Sequence, residues 1–207
     1  MVDDYSALRQ RLQKILCEAL PEVVFGDARN AREALDLSVR QSWNLVLLDA
    51  ALPDCSYLEV LKQLRRQCRR LPVLVLSLND EVLYAYFALK SGAKGYVTKQ
   101  SAPEELVTAV RKVLSGGTYI STTLAERLAF RLDSEPDERS QEGLSCREFE
   151  VFRCLASGMS LEEAAGWLSL SPKTVSGYRA RIFIKLKLKT KAELADYAIQ
   201  HGLVGPG

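Results

Sequence analysis

The sequence predicts an α/β domain, a parallel sheet covered by helices on both faces, followed by a small all-α domain. Three observations carry this reading. Short apolar runs without alternation, Leu45 to Leu48 and Val73 to Leu76, read as strands buried on both faces, the habit of parallel sheets. These runs alternate with segments of helical period, so helices cross over between successive strands. After Gly143 the strand pattern ends and three capping boxes follow, Ser145-x-x-Glu148, Ser160-x-x-Glu163 and Thr190-x-x-Glu193. The 207 residues, 47% apolar and 26% charged, suit a soluble chain of one large or two small domains.

Leu8, Leu12, Ile15, Leu16, Ala19 and Leu20 have the spacing of an amphipathic helix ended by Pro21. Val23 to Phe25 reads as a strand. Ala31 to Val39 reads as a helix with Ala34, Leu35 and Val39 on one side. The strand Leu45 to Leu48 runs into Asp49, and Pro53-Asp54 breaks it into a turn. Tyr57 to Leu64 is a helix with Leu58, Leu61 and Leu64 inward; its basic end, Arg65 to Arg70, suits the negative end of the helix dipole. Pro72 to Ser77 is a buried strand with a polar end. Glu81 to Lys90 is helical, with Gly92 as its stop. Gly95 to Lys99 is a short strand ending in a lysine. Ser101-x-x-Glu104 opens a helix through Leu114, and Thr122 to Leu132 forms another. Asp133 to Gly143 is polar and reads as a linker. Four helices follow, over about 146–157, 161–168, 172–187 and 191–201, the third opened by Ser171-Pro172.

The composition excludes several classes. Cys17, Cys55, Cys68, Cys146 and Cys154 are odd in number and form no C-x-x-C pair, so neither a zinc site nor a disulfide framework is indicated and a reducing cytoplasm is expected. The single His201 has no catalytic company. No apolar run approaches a membrane span, and the N-terminus has no signal-peptide pattern. Residues 1–142 hold 19 Lys/Arg and 20 Asp/Glu, and residues 143–207 hold 9 and 6, so the C-terminal part is the basic one.

Asp3/Asp4, Asp49, Ser77 and Lys99 stand at strand ends. In a parallel sheet the C-terminal strand ends share one edge, where α/β proteins bind ligands. A lone aspartate there is more often a cap. Three carboxylates on one edge suit a hard divalent cation, with magnesium the best fit. A hydroxyl and a lysine facing the same point suit a phosphoryl dianion.

On these motifs, residues 3–116 resemble the receiver domain of bacterial two-component response regulators of the NarL/FixJ type. The matching pieces are Val-Asp-Asp4, Leu-Leu-Asp49-Ala-Ala-Leu-Pro53, Val-Leu-Ser77, the stretch from Ala88 through Gly92 to Lys99, and Pro103. The resemblance implies a flavodoxin-like fold of strand order 2-1-3-4-5. It implies Asp49 as phosphoryl acceptor, Asp3, Asp4, Asp49 and the Ala51 carbonyl as Mg2+ ligands, Ser77 and Lys99 as phosphoryl-binding groups, Tyr96 as the switch aromatic and a sensor histidine kinase as donor. One departure stands out: only Met1 and Val2 precede the acidic pair, so the first, central strand is truncated. Three explanations are open: a longer natural reading frame, a damaged receiver, or another segment in the gap. The first is favoured, and with it poor folding or segment exchange of the chain as written.

Residues 143–203 are similar to the LuxR-type helix-turn-helix. Independently, residues 173–191 hold seven Lys/Arg and no acid, which behind two short capped helices reads as a recognition helix in a major groove. Lys173, Thr174, Lys185 and Lys187 are expected at phosphates, and Ser176, Gly177, Ala180 and Arg181 at base edges, supplemented by Tyr178 and Arg179. Val175 and Ile182 are expected in the core and Trp167 in packing; Leu194, Tyr197 and Ala198 resemble a segment through which such domains dimerise, the alternative being that half or more of that face packs on the three-helix core. The sequence thus predicts a receiver at 1–118, a linker with a helix at 119–142 and a DNA-binding domain at 143–207. The expected function is a phosphorylation-controlled regulator that binds double-stranded promoter DNA as a homodimer, with no membrane partner and no enzymatic turnover. The rival readings are a phosphorylation-independent regulator whose receiver is only a dimerisation scaffold and, more weakly, a magnesium phosphohydrolase.

Overall fold

Strand formation follows the unbroken apolar runs. In the computed structural model, which describes residues 1–78, 82–101, 103–133, 144–168 and 170–201, β1 (Val46–Asp49), β2 (Val73–Ser77) and β3 (Gly95–Thr98) pair in parallel in the order β1-β2-β3. Every residue of β1 and β2 is buried, as a doubly covered sheet requires. Asp49 stands opposite Leu76, and Ser77 opposite Thr98. Asp49, Ser77 and Lys99 therefore step along one edge.

Val2 takes the place beside β1 where the first strand is expected. Val2 bridges Leu48 on one side and Ala28 on the other. The Val2 N–H donates to the Leu47 carbonyl at 2.8 Å, and the Asp49 N–H to the Val2 carbonyl at 2.9 Å. Across the gap, the Ala28 N–H donates to Met1 O at 2.8 Å and the Asp3 N–H to Ala28 O at 3.1 Å. The order Ala28, Val2, β1, β2, β3 is the expected 2-1-3-4-5. The expected strand at Val23–Phe25 does not form: the Val23 N–H turns back to the Leu20 carbonyl at 3.1 Å, and bridge pairing begins only at Ala28. Beside Met1 lies a solvent-open cleft of about 1030 Å³, lined among others by Leu16, Leu20, Phe25, Trp43, Leu47 and Val110.

The helices bury the stripes their spacing sets. In α1 (Ser6–Ala19) the buried residues are Arg9, Leu12 and Leu16. In α2 (Ala31–Arg40) they are Ala31, Ala34 and Ser38, whereas Val39 is exposed. The buried stripe thus runs one residue earlier than the apolar pattern suggests, and the Ser38 hydroxyl is satisfied locally by the Leu35 carbonyl at 2.7 Å. In α3 (Tyr57–Gln67), Ser56 caps the start and Leu58, Leu61 and Leu64 are buried, worth about 2 kcal/mol each in removed apolar surface. In α4 (Val82–Lys90), Val82, Tyr84, Ala85, Phe87 and Ala88 are buried, and the Tyr57 hydroxyl donates to the Tyr84 carbonyl at 3.2 Å. Gly92, at φ 105°, ends that helix with its own N–H on Leu89 O and that of Ala93 on Ala88 O. Leu106, Ala109, Val110 and Val113 of α5 (Pro103–Leu114) close the core over α1, Leu47, Leu74, Leu76 and Val97. The chain then returns to β3 at Tyr119, which accepts from the Tyr96 N–H at 3.0 Å, and enters α6 (Thr122–Asp133). The expected linker lies, past Asp133, outside the described residues.

The described residues divide into two units, Met1–Leu128 and Ala129–Gly207. In the second, α7 (Cys146–Ala156) and α8 (Leu161–Trp167) open with full capping boxes at Ser145 and Ser160. Ser171 caps α9 (Pro172–Lys185), with Pro in its first turn. Thr190 caps α10 (Lys191–Gln200), but here the Glu193 carboxylate reaches the Lys189 N–H, not that of the cap. Both α7 and α8 pack on α9, and α10 packs on α7. Phe149, Phe152, Val175, Ile182, Leu194 and Ala198 form the core, each with no exposed surface. Trp167 is half-buried.

Candidate functional site

The edge of the sheet brings the expected acids and lysine together. Asp49 ends β1 and Asp3 follows the Val2 bridge; both are buried, whereas Asp4 is exposed. Each of the three offers an oxygen within 4.8 Å of the others. Lys99 follows β3 and lays its Nζ 2.7 Å from Asp3 Oδ2 and 2.7 Å from Asp49 Oδ2. The other oxygens are held by backbone: Ala51 N–H donates to Asp49 Oδ1 at 2.9 Å, and Tyr5 N–H to Asp3 Oδ1 at 2.8 Å. Burial raises the Asp49 pKa from its ordinary value, against the Lys99 hydrogen bond and the Ala51 N–H, which lower it. Ser77 is buried at the end of β2, one step from Asp49 in register, and Tyr96 is buried within β3. The donor set, hard oxygens of unlike burial around one point, fits Mg2+, which keeps several waters and asks for few protein oxygens.

The loop after Asp49 is pinned from its far side. Asp54 accepts from the N–H groups of Ala31, at 2.9 Å, and Arg32, at 3.4 Å, at the start of α2. This fixes the turn that carries Ala51.

The basic helix shows one outward face. Lys173, Thr174, Gly177, Arg179, Ala180, Arg181 and Lys187 are exposed, Ser176 and Tyr178 half-buried, and Val175 and Ile182 wholly inward. The Arg181 guanidinium lies over the Tyr178 ring, 4.6 Å from its centroid. Lys185 differs from the others: its Nζ is 2.6 Å from Glu148 Oε2, tying α9 to the start of α7.

Residues 1–111 match the response regulator receiver domain family, and residues 142–198 match the luxR family of bacterial regulatory proteins. The chain belongs to the two-component response regulators. Among curated relatives it is 32% identical to response regulator UvrY of Escherichia coli K12 over 204 residues, 98% of this chain and 94% of that one. It is 32% identical to response regulator GacA of Pseudomonas aeruginosa over 206 residues, 99% and 96% of the two chains. Among solved structures, RcsB of Salmonella enterica serovar Typhimurium, bound to promoter rprA in the presence of phosphomimetic BeF3−, superposes with a TM-score of 0.74 at 25% identity over 95% of both chains.

Within this family of transcription regulators, the motif residues at strand ends were visible in the sequence. The tertiary contacts of Arg9, Asp54 and Glu148 were not. Arg9 had a signal: with Leu12 and Leu16 it makes a helical stripe of spacing three and four, and a charge on an apolar stripe must find partners. Glu148 and Lys185, 37 residues apart, gave none beyond the capping box. Among the described residues no helix is long and apolar enough to cross a membrane.

Proposed function

We propose that Asp49 accepts a phosphoryl group from a phosphohistidine on a sensor histidine kinase and that the charge so added controls binding of α9 to promoter DNA. The observation that carries this reading is the Lys99 ammonium shared between Asp3 and Asp49 at 2.7 Å each. A capping aspartate has no use for a buried lysine that also holds a second acid. In the transfer the P–N bond breaks, its electron pair stays on imidazole, and a P–O bond forms to an Asp49 oxygen. Positioning and charge neutralisation dominate such a step. Asp3, Asp4, Asp49 and the Ala51 carbonyl would hold Mg2+, which supplies neutralising charge to the phosphoryl oxygens. Lys99 moves from Asp49 Oδ2 to the phosphoryl group, and Ser77 donates its hydroxyl to the same group. Tyr96 and α5 then shift as a two-state surface.

The receiver is assigned to 1–118, the linker and helix to 119–142 and the DNA-binding domain to 143–207. Lys173, Thr174 and Lys187 hold phosphates; Ser176, Gly177, Ala180 and Arg181 face base edges, with Tyr178 and Arg179 beside them. Lys185 serves first as the tie to Glu148. A homodimer reads an inverted repeat, as befits a cytoplasmic regulator and not an enzyme with an external substrate. The test is acetyl-phosphate labelling with Mg2+ of the parent and Asp49→Asn, followed by duplex binding. Label on the parent alone, with tighter binding of the labelled form, is expected. Equal labelling, or duplex binding indifferent to label, points instead to the scaffold reading.

A further inference from the structure

Arg9 is a buried charge that the phosphoryl chemistry leaves unused. Its residue is 6% exposed. Its Nη1 donates to the Asp3 carbonyl at 2.6 Å, so the guanidinium sits on the peptide that joins Asp3 to Asp4, two of the three acids of the site. Its Nε is closed off from solvent without a hydrogen-bond partner, 3.8 Å from Asp27 Oδ2. Asp27 is a poor match for it: that side chain is 46% exposed, and its other oxygen is occupied by Gln13 at 2.8 Å. A guanidinium so weakly paired stays buried only where the surrounding field is negative, and the acid cluster supplies that field.

We infer that Arg9 is a fixed counter-charge and positioning residue for the acid cluster, one that loosens divalent-cation binding while favouring the phosphorylated state. This rests on the function proposed above. Asp27 and the Met1 ammonium, beside Arg9, carry opposite charges that offset each other; three carboxylates against Lys99 and Arg9 then leave the site one negative charge. Magnesium reverses that sign, and the acyl phosphate dianion, with one charge more than the aspartate it replaces, restores neutrality. Without Arg9 the empty site attracts the metal more strongly, and the phosphorylated site is left with an uncompensated charge. The two effects have opposite signs. Structural damage would weaken both.

The experiment uses the full chain. Mg2+ binding is measured by calorimetry on unphosphorylated protein, and the phosphorylated-to-free ratio by intact mass under acetyl phosphate at saturating Mg2+. Arg9→Met is expected to bind Mg2+ about three- to ten-fold more tightly and to lower the ratio by a similar factor, the scale of one charge at partly screened range. Arg9→Lys keeps the charge and is expected within about two-fold of the parent in both. Asp27→Asn, at a half-exposed site that tolerates change, removes a negative charge beside Arg9 and is expected to weaken Mg2+ binding about two-fold; it carries the test if Arg9→Met does not fold. Losses of both properties in Arg9→Met, no change in either, or tighter binding in Asp27→Asn would overturn the inference. A parent that takes up neither Mg2+ nor phosphoryl overturns the proposed function and this inference with it; a competent parent with an indifferent Arg9→Met overturns this inference alone.

Discussion

Lys99 holds two buried carboxylates apart from each other and from water. Taking away its charge leaves Asp3 and Asp49 buried as like charges, and breaking such a pair costs about 3–5 kcal/mol. Lys99→Met should therefore lower the melting temperature of the receiver in metal-free buffer, and Mg2+ should restore much of the loss, since the acids then regain a cation. A melt that ignores Mg2+ would count against the shared site. In the second unit, burial opposes ionisation of Glu148, but hydrogen bonds from Lys185 and from Ser145 outweigh it and hold its pKa below the ordinary value. A carboxyl with a depressed folded pKa adds stability that is fully present above its unfolded pKa and is lost as pH falls through the folded one. Thermal melts from pH 7 downward should show the second unit weakening below about pH 4.5, and Lys185→Met should shrink that dependence to what the Ser145 hydrogen bonds sustain. These groups divide cleanly in legibility. Asp49 and Lys99 end apolar runs and announce themselves; Glu148 and Arg9 are buried by partners distant in sequence, which periodicity does not report.

At the scale of elements, the strands were read from unbroken apolar runs and the helices from caps, and both signals are local. The failures were tertiary. Val23–Phe25 has the composition of a strand, but a strand forms only where its backbone pairs with another, and here the Val23 N–H bonds back to Leu20 O and bridging starts at Ala28. The apolar spacing puts Val39 on one side with Ala34 and Leu35, yet α2 buries Ser38 instead, whose hydroxyl is satisfied by the Leu35 carbonyl of the preceding turn. Gly95 shows what pairing demands where it does occur. A Cβ built there would lie 2.6 Å from Leu74 Cδ1 and 2.8 Å from the Tyr119 carbonyl oxygen, the backbone that joins the edge of β3. Gly95→Ala should thus push the Tyr119 segment off the sheet and cost about 1–3 kcal/mol, read by chemical denaturation. It should also slow phosphorylation from acetyl phosphate, since β3 leads directly to Lys99.

For the whole molecule, the split of charge between a slightly acidic N-terminal part and a basic C-terminal part was legible at once and fixes which half meets nucleic acid. Its magnitude makes a measurable statement. Of the seven basic residues between 173 and 191, Lys185 is engaged by Glu148 and Arg181 is assigned to a base edge. With five left to meet phosphates, log K for duplex binding should fall against log salt with a slope of about −4.5 for each bound domain. A slope near zero would remove the electrostatic basis for assigning α9 to DNA.

The cleft beside Met1 is open to water yet lined mainly by apolar surface, with Leu16, Leu20, Phe25, Leu47 and Val110 along it. Open apolar surface of that kind captures hydrophobic dyes. The native chain should therefore enhance the fluorescence of anilinonaphthalene sulfonate at neutral pH while still melting cooperatively. The two tryptophans make the place of binding observable, because Trp43 lines the cleft and Trp167 belongs to the other unit. In a Trp167→Phe chain the dye should quench Trp43 by energy transfer, and more strongly than it quenches Trp167 in a Trp43→Phe chain.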